Sequence, residues 1–377
     1  MLKKFNQYLI VAILICLTSC ENKPIPVKTD NKNKVIDSTI AAFEKKLLEQ
    51  QIDSAFQKYD FNGSVAIFKD SIKLYQKENG FSDFKNKTAI DSNTIFAIGS
   101  VSKQFTAVLV LRQMEQGKLH LNDPASKYLR EFGTAEYKNI TIHQLLNHTS
   151  GLNVLGSKLM FKSGSGFFYS NDGFNALGRI IEKVSGKSYD ENAMELFKEV
   201  GMINSSTGNL FQGTNFAGAY LRDNKEFEKV QGMPERLNNK DIGIPAGGIL
   251  STVYDLHVWN NALYGGKVLK PRILKQFVSK STERIHPVFG KMGYGYGIML
   301  SPGKPTSYFH SGYVKGSASL NVYYPETKTS VIVLSNVADE KSKASTFRPH
   351  LEVKKITDAI ENAVAEMKPQ IKVMVQQ

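Results

Sequence analysis

The sequence predicts an α+β fold, in which an antiparallel sheet is flanked by N- and C-terminal helices and interrupted by a mostly helical region. Apolar residues recur at helical spacing near both chain ends, and a hairpin pattern lies near the N-terminal end. In the last third, short Tyr-, Gly- and Val-rich runs alternate with turn residues. We therefore assign 36–370 to one domain, with about 36–95 and about 285–370 forming the sheet part and about 96–284 the helical part.

Each predicted element rests on a local pattern. The spacing of Ile36, Ile40, Phe43 and Leu47 predicts the first helix, and Gly117 ends the strongest amphipathic pattern. The predicted helices are 36–58, 100–116, 172–185, 190–199, 251–263 and 351–367. The predicted strands are 63–68, 72–75, 294–300, 306–310, 316–324 and 329–335.

Composition places the chain among globular proteins. Of its 377 residues 41% are hydrophobic and 22% are charged, which argues against disordered and fibrous classes. Lys and Arg number 48 against 35 Asp and Glu, and this excess of +13 points to anionic partners. The lysines are scattered and no basic stripe with interleaved aromatics is present, so we expect no nucleic-acid partner.

The first 35 residues predict export and anchoring. Residues 1–19 have the pattern of a signal peptide: Lys3 and Lys4 precede an apolar run that is too short to span a bilayer of about 30 Å. The run ends in Leu-Thr-Ser followed by Cys20, which resembles a bacterial lipobox and makes Cys20 the expected lipid attachment site. Residues 20–35 are polar and contain prolines, which predicts an extended tether. A plain secretory signal or a buried N-terminal helix is the alternative.

The search for chemistry leads to serine. The histidines lack metal-ligand spacing and no phosphate or dinucleotide loop is present, so we expect no metal and no cofactor. Three Ser-x-x-Lys patterns occur, in which a lysine one helical turn after a serine can accept its proton. Those at Ser82 and Ser301 lie in loop and turn sequence. Ser100 begins the strongest helix, where the helix dipole stabilises an anion; a plain helix cap is the alternative role.

Three motifs in order then carry a resemblance. Ser100-Val-Ser-Lys103, Tyr169-Ser-Asn171 and His310-Ser311-Gly312 are similar to the active-site motifs of the penicillin-recognising serine hydrolases. The group concerned is that of the class C β-lactamases and D-alanyl-D-alanine carboxypeptidases. The stretches 145–152, 245–252 and 294–297 resemble the same family, so the similarity spans about 60–336. It implies the β-lactamase/transpeptidase-like form of the predicted fold, with the active site between the sheet and the helical region.

The resemblance also implies roles for these residues. Ser100 is the expected nucleophile, activated by Lys103 and Tyr169, and which of those two accepts its proton is left open. A cationic lysine beside a phenol would lower the pKa of the phenol. Asn171 is expected to donate to the amide carbonyl of the substrate, with a turn or helix cap as the alternative. The backbone N–H groups of Ser100 and Tyr313 are the expected oxyanion hole.

The third motif departs from the Lys-Thr-Gly of most class C β-lactamases. His310, Ser311 and Gly312 are expected to bind substrate, but an imidazole with an ordinary pKa near 6.5 is only partly cationic at neutral pH. We therefore expect weaker or more pH-dependent recognition of a carboxylate. Gly312 is expected to keep the strand edge open for the substrate backbone. The bulk of Tyr313 affects the width of the pocket.

The predicted function is that of an exported, lipid-anchored serine hydrolase facing the periplasm or the cell exterior. Its expected partners are a small-molecule or peptidoglycan-peptide substrate, with β-lactams as candidate ligands, and a membrane through the N-terminal lipid. A β-lactamase or carboxylesterase on the same site is the alternative. An alternative of another class is a catalytically silent envelope protein that binds peptidoglycan. The oligomeric state stays open.

Overall fold

A large antiparallel sheet forms the frame of the protein, as the computed structural model of residues 29–224, 226–237, 242–339 and 341–376 shows. Its strand order is β10-β11-β12-β13-β14-β15-β1-β2, so strands from both chain ends meet side by side. These strands are β1 (Gly63–Lys69), β2 (Ile72–Asn79), β10 (Thr282–His286), β11 (Gly290–Tyr294), β12 (Met299–Leu300), β13 (Tyr308–Val314), β14 (Ser317–Tyr324) and β15 (Thr329–Ser335). The predicted fold class is confirmed.

Helices cover the sheet and fill the inserted region. They are α1 (Thr29–Tyr59), α2 (Ser102–Glu115), α3 (Ile142–Leu146), α4 (Asn171–Ser185), α5 (Tyr189–Val200), α6 (Ile244–Gly247), α7 (Val253–Tyr264), α8 (Pro271–Phe277) and α9 (Lys343–Gln376). The terminal helices α1 and α9 pack on each other and on one face of the sheet, whereas α7 packs on β1 and β15 from the other face. Among the described residues no helix is both long and apolar enough to cross a membrane.

Several features differ from the sequence expectation. Helix α1 begins at Thr29, so the last seven residues of the predicted tether are helical; no proline follows Pro26 there to stop the helix. The predicted strand 294–300 is interrupted, since β11 ends at Tyr294, β12 begins at Met299, and the chain between them bends at Gly297, which has φ +66°. The structure also contains short strands of two to four residues outside the large sheet, and such short runs show no clear period in the sequence. They are β3 (Phe81–Asp83), β4 (Thr88–Ala89), β5 (Phe96–Ala97), β6 (Ser206–Thr207), β7 (Tyr220–Asp223), β8 (Glu226–Lys229), β9 (Ile249–Ser251) and β16 (Val337–Ala338). The predicted signal peptide and Cys20 lie outside the described residues.

The sheet separates two apolar cores. Alternate residues of its strands point to opposite faces, so Val65 and Val333 join the core beneath α1 and α9, while Ala66 and Ile332 join the core beneath the inserted helices. Strands β1, β14 and β15 are buried along almost their whole length because both faces are covered.

The helical region is fastened to the sheet by a close backbone contact. A Cβ atom on Gly312 in β13 would lie 2.0 Å from the carbonyl oxygen of Ile98, and one on Gly99 would lie 2.6 Å from the backbone nitrogen of Tyr313. Gly99 has φ +51°, a conformation that favours glycine. Ser319 on the neighbouring strand donates its hydroxyl to the Ile98 oxygen at 2.7 Å. The turn after β5 therefore rests directly on β13.

We predict that Gly312→Ala destabilises the protein by about 2 kcal/mol, because the added methyl group forces backbone apart from backbone. The measurement is the urea midpoint together with the thermal midpoint. Gly303→Ala is the matched control, since a Cβ there meets nothing within 4 Å. Equal midpoints for the two variants would show that the contact is not tight.

Candidate active site

Ser100 lies where the helical region touches the sheet. It is the middle residue of a 3-10 turn, Gly99–Val101, which runs directly into α2. The backbone N–H groups at the start of a helix, and the positive end of its dipole, face this position. The residue before Ser100, Gly99, packs against the backbone of Tyr313, so this turn lies next to β13. The expected oxyanion hole of the Ser100 and Tyr313 N–H groups stays a prediction.

The amine of Lys103 is completely buried beside the Ser100 hydroxyl. Lys103 is 0% exposed, and its Nζ lies 3.3 Å from Oγ of Ser100. Nζ also donates to Oδ1 of Asn171 at 2.8 Å and to the carbonyl oxygen of Ala246 at 2.7 Å. No carboxylate contacts it among the described residues. The ammonium form is therefore disfavoured, and burial lowers the pKa of Lys103 well below its usual range.

Burial shifts the pKa of Tyr169 upward, whereas it shifts the pKa of Lys103 downward. Lys103 Nζ lies 4.8 Å from the centre of the Tyr169 ring. Burial raises the pKa of the Tyr169 phenol, although Arg284 and Ser100 pull that pKa down. The phenol oxygen has no hydrogen bond of normal geometry to the described residues, but both of these side chains lie close to it. At neutral pH Tyr169 is therefore a protonated phenol.

Arg284 is a cation that the sequence analysis did not single out. Its guanidinium carbon lies 4.2 Å from the centre of the Tyr169 ring, and its Nη1 approaches Sδ of Met299 at 3.8 Å. It forms no ion pair with a carboxylate of the described residues. Its charge also contributes to lowering the pKa of Lys103, behind the larger effect of burial.

Asn171 is held in a defined orientation. It is the first residue of α4, and Ser170 caps that helix by accepting from the backbone N–H of Gly173. Because Oδ1 of Asn171 accepts from Lys103, its Nδ2 is the side-chain group that remains to donate to a substrate. Ala246, the other acceptor, lies in the short helix α6.

A chain of hydrogen bonds fixes two neutral histidines behind Tyr169. The backbone N–H of Ser170 donates to Nδ1 of His148 at 3.1 Å, so the proton of that ring is on Nε2, which donates to the Tyr294 hydroxyl at 3.2 Å. Tyr294 then donates to Nε2 of His310 at 3.1 Å. The remaining proton of His310, on Nδ1, goes to the carbonyl oxygen of Ser311 at 2.7 Å. Each N–H and O–H group of this chain donates one hydrogen bond, and the imidazole rings of His148 and His310 are both neutral.

This differs from the partly cationic His310 expected from the sequence. His310 is only 1% exposed, and burial, with the nearby charges of Arg284 and Lys103, holds its pKa well below its usual range. In this arrangement it has no ring N–H left for a substrate carboxylate. The cation nearest Tyr169 on the solvent-accessible side is Arg284, which is partly exposed.

Ser311 and Gly312, the other two residues of the third motif, contact different neighbours. Ser311 Oγ bonds Nε2 of His286 at 3.3 Å, because successive strand residues point to opposite faces. The missing side chain of Gly312 makes room for the Ile98 oxygen, and its expected role in keeping the strand edge open for a substrate backbone stays a prediction. Beyond Phe309 no residue of β13 pairs with β12, which leaves the edge near the third motif without a strand neighbour on that side.

The two other Ser-x-x-Lys serines lie away from such a constellation. Ser82 is in β3 and donates to the carbonyl oxygen of Thr88, and Ser301 donates to the carbonyl oxygens of Gly303 and Pro305. Neither begins a helix.

Four contributors to the site were missed as functional residues. Ala246, His148 and Tyr294 fall in stretches that already resembled the family, and that resemblance was the available signal. Arg284 lies outside every motif. Its position over Tyr169 depends on the pairing of β10 with β11, where Arg284 lies opposite Met292. No local sequence pattern indicates this position.

Comparison with known proteins identifies a family. A family model described as Beta-lactamase matches residues 40–354. The putative penicillin-binding protein PbpX of Bacillus subtilis is 26% identical over 362 residues, covering 87% of this chain and 88% of the relative. The teichoic acid D-alanine hydrolase of Staphylococcus aureus is 28% identical over 324 residues, covering 81% of this chain and 78% of the relative.

Solved structures share the fold. The octameric penicillin-binding protein homologue from Pyrococcus abyssi superposes with a TM-score of 0.70 at 25% identity, over 82% of this chain and 77% of that one. A class C β-lactamase gives a TM-score of 0.68 at 21% identity, over 83% and 96% of the two chains. Since the family match covers most of the chain and the fold agrees, this protein belongs to the β-lactamase family of serine hydrolases.

Proposed function

We propose that the protein hydrolyses D-alanyl peptides with a free terminal carboxylate, through an acyl-enzyme on Ser100. The observation that carries the catalytic part is the triple contact of the buried Lys103 amine with Ser100, Asn171 and Ala246. The substrate class is supported by Arg284, a cation without a carboxylate partner among the described residues.

The contacts of Lys103 favour it as the general base. A neutral amine has two hydrogens and one lone pair, and the two oxygen acceptors on Asn171 and Ala246 take both hydrogens. The lone pair then points to the third neighbour, the Ser100 hydroxyl. Because burial makes the neutral form accessible, Lys103 can take the Ser100 proton as the oxygen attacks the substrate carbonyl. The oxyanion forms against the backbone N–H groups of Ser100 and Tyr313.

Tyr169 is suited to return the proton. Its pKa is raised, so it is a phenol rather than a phenolate, and it lies beside both Lys103 and Ser100. As the C–N bond breaks, the leaving amine takes a proton from the Lys103–Tyr169 pair. Water then attacks the acyl carbon, and the same pair accepts the proton of that water and returns one to Ser100.

Arg284 is placed to bind the carboxylate of a leaving D-alanine. The leaving amine must face the Lys103–Tyr169 pair, and in a terminal D-alanine the carboxylate is two bonds from that nitrogen. Arg284 lies 4.2 Å from the centre of the Tyr169 ring and is therefore next to the pair that such an amine must face. A guanidinium can bind a carboxylate in bidentate fashion, which the neutral His310 cannot.

The second candidate is an esterase acting on D-alanyl esters of an anionic polymer. It is favoured by the relative whose name is teichoic acid D-alanine hydrolase, because such a substrate presents a D-alanyl group and places negative charge on the leaving side. A β-lactamase uses the same acylation step, and differs in how fast water releases the acyl group. The intact Ser100–Lys103 contact argues against a catalytically silent binding protein.

Ser100→Ala should abolish covalent labelling by a penicillin and lower kcat/KM for a D-alanyl-D-alanine peptide by at least about 10³-fold, since it removes the nucleophile. The measurement is the mass of the Ser100 peptide after incubation with the penicillin, combined with product analysis. The matched controls are Ser82→Ala and Ser301→Ala, which remove the serines of the other two Ser-x-x-Lys patterns. Unchanged hydrolysis in Ser100→Ala, with no adduct in the parent protein, would refute the proposal.

Arg284→Gln should lower kcat/KM for the free-acid peptide by about 10- to 100-fold, the worth of a charged hydrogen bond, and change it much less for the C-terminal amide. Arg284→Lys, which keeps the charge, is the control. Arg284 also helps to lower the pKa of Lys103, whose base form exists only above that pKa. Its removal should therefore move the acidic limb of kcat/KM to higher pH for both substrates. An unchanged acid-to-amide preference would contradict the assignment.

We also propose that the protein is exported and attached to a membrane through a lipid on Cys20. The support is the signal-like run and the Leu-Thr-Ser-Cys sequence of residues 17–20. Cells given a labelled fatty acid should label the parent protein and not Cys20→Ala, with Cys16→Ala as the control. Label in Cys20→Ala equal to the parent would exclude this attachment site.

A further inference from the structure

We propose that a second site, distinct from the catalytic one, binds an anionic polyhydroxylated polymer: a chain of sugar or polyol units that carries phosphate or carboxylate groups. It is a cavity of about 650 Å³ between the inserted helices and the sheet. We call it the tyrosine groove, and define it by six of its lining residues: Tyr264, Tyr308, Tyr323, Lys267, Lys275 and Lys328.

Three separate parts of the fold build the groove. Tyr264 ends α7 and Lys267 follows it, Lys275 lies in α8, and Tyr308 and Tyr323 are paired residues of β13 and β14. The groove thus sits on elements of fixed geometry. It lies on the strand that carries the third motif, two residues before His310, but shares no residue with the catalytic constellation.

The tyrosines supply a surface for polyhydroxylated rings. Tyr264 and Tyr323 stack with ring centres 4.3 Å apart and planes at 13°, and Tyr308 is 5.4 Å from Tyr264. None of their three hydroxyl groups hydrogen bonds to a described side chain or backbone group. Burial raises the pKa of Tyr323 to about 12, so that hydroxyl keeps its proton and can donate. Phenol rings offer apolar contact with ring C–H groups, and their hydroxyls offer hydrogen bonds.

The lysines supply the charge. Lys267, Lys275 and Lys328 are exposed, and none of the three forms an ion pair within the described part of the chain. One carboxylate, that of Asp70, lines the groove with them. Glu326, which is close to Tyr308, places a second negative charge near the groove. The groove therefore has more cations than anions and attracts a polyanion.

The stacking of the tyrosines favours a polyol over a nucleic acid. Because Tyr264 and Tyr323 cover one face of each other, stacking on these rings is reduced for any ligand, which removes the main contact that a base would make, whereas a polyol can still use the hydroxyls. Three hydroxyls and three ammonium groups that have no partner within the described residues suit a ligand that alternates hydroxyl and anionic groups. Such binding would hold the protein on a polymer independently of catalysis at Ser100.

The test measures binding of the full chain to three labelled probes: oligo(glycerol phosphate), oligogalacturonate and single-stranded DNA. The groove variant is Lys267→Gln/Lys275→Gln/Lys328→Gln. The control, Lys46→Gln/Lys85→Gln/Lys87→Gln, removes the same charge from exposed lysines that form no ion pair with described residues. We expect one or both polyol probes to bind the parent and the control within about twofold, and the groove variant about tenfold more weakly. The phosphate and carboxylate probes show which anion is preferred.

A second variant separates hydrogen bonding from charge. Tyr264→Phe/Tyr308→Phe keeps both rings but removes two hydroxyls, and should weaken binding of the polyol probes more than that of DNA. Equal affinities of the groove and control variants would overturn the proposal, as would DNA binding that is as tight as polyol binding and insensitive to the Phe substitutions. The binding is measured again in Ser100→Ala, so its outcome does not depend on the proposed catalytic function.

Discussion

The buried amine of Lys103 is the interaction on which the site depends. Its nitrogen contacts the turn that carries Ser100, the first residue of α4 and the carbonyl of Ala246 in α6, so three separate segments converge on one atom. An amine without a carboxylate in a buried position gains little from being charged and loses its hydration. The fold therefore accepts an energetically poor position for a lysine, and this is the position from which we propose that Lys103 acts as the base.

The second constraint is the backbone contact between the turn and β13. Glycine at 99 and at 312 lets the turn that carries Ser100 lie directly against the backbone of β13. Next to this contact, the hydrogen bonds that run from His148 through Tyr294 to His310 engage the one ring N–H of each histidine. Neutral groups thus surround Lys103 and Tyr169, and the remaining charge next to Tyr169 comes from Arg284.

The sequence could predict those parts that short patterns encode. Helical and alternating spacing indicated the long helices and the principal strands, and the motifs named Ser100, Lys103 and Tyr169, which the structure brings together. Contacts between distant segments were beyond such patterns. Arg284 reaches Tyr169 only through the β10–β11 pairing, and the neutral state of His310 follows from its burial. Gly312 makes room for Ile98, the residue at which the turn that carries Ser100 begins. The strands of two or three residues are too short to show a period.

The most direct test is an NMR titration of protein with ¹³C- and ¹⁵N-labelled lysine. Lys103 is identified as the signal that is absent from Lys103→Met. If the buried amine is the base, this one lysine is neutral at pH 7 and titrates well below the ordinary lysine value of about 10.4. A Lys103 signal that is charged at pH 7 and titrates with the surface lysines would contradict the account.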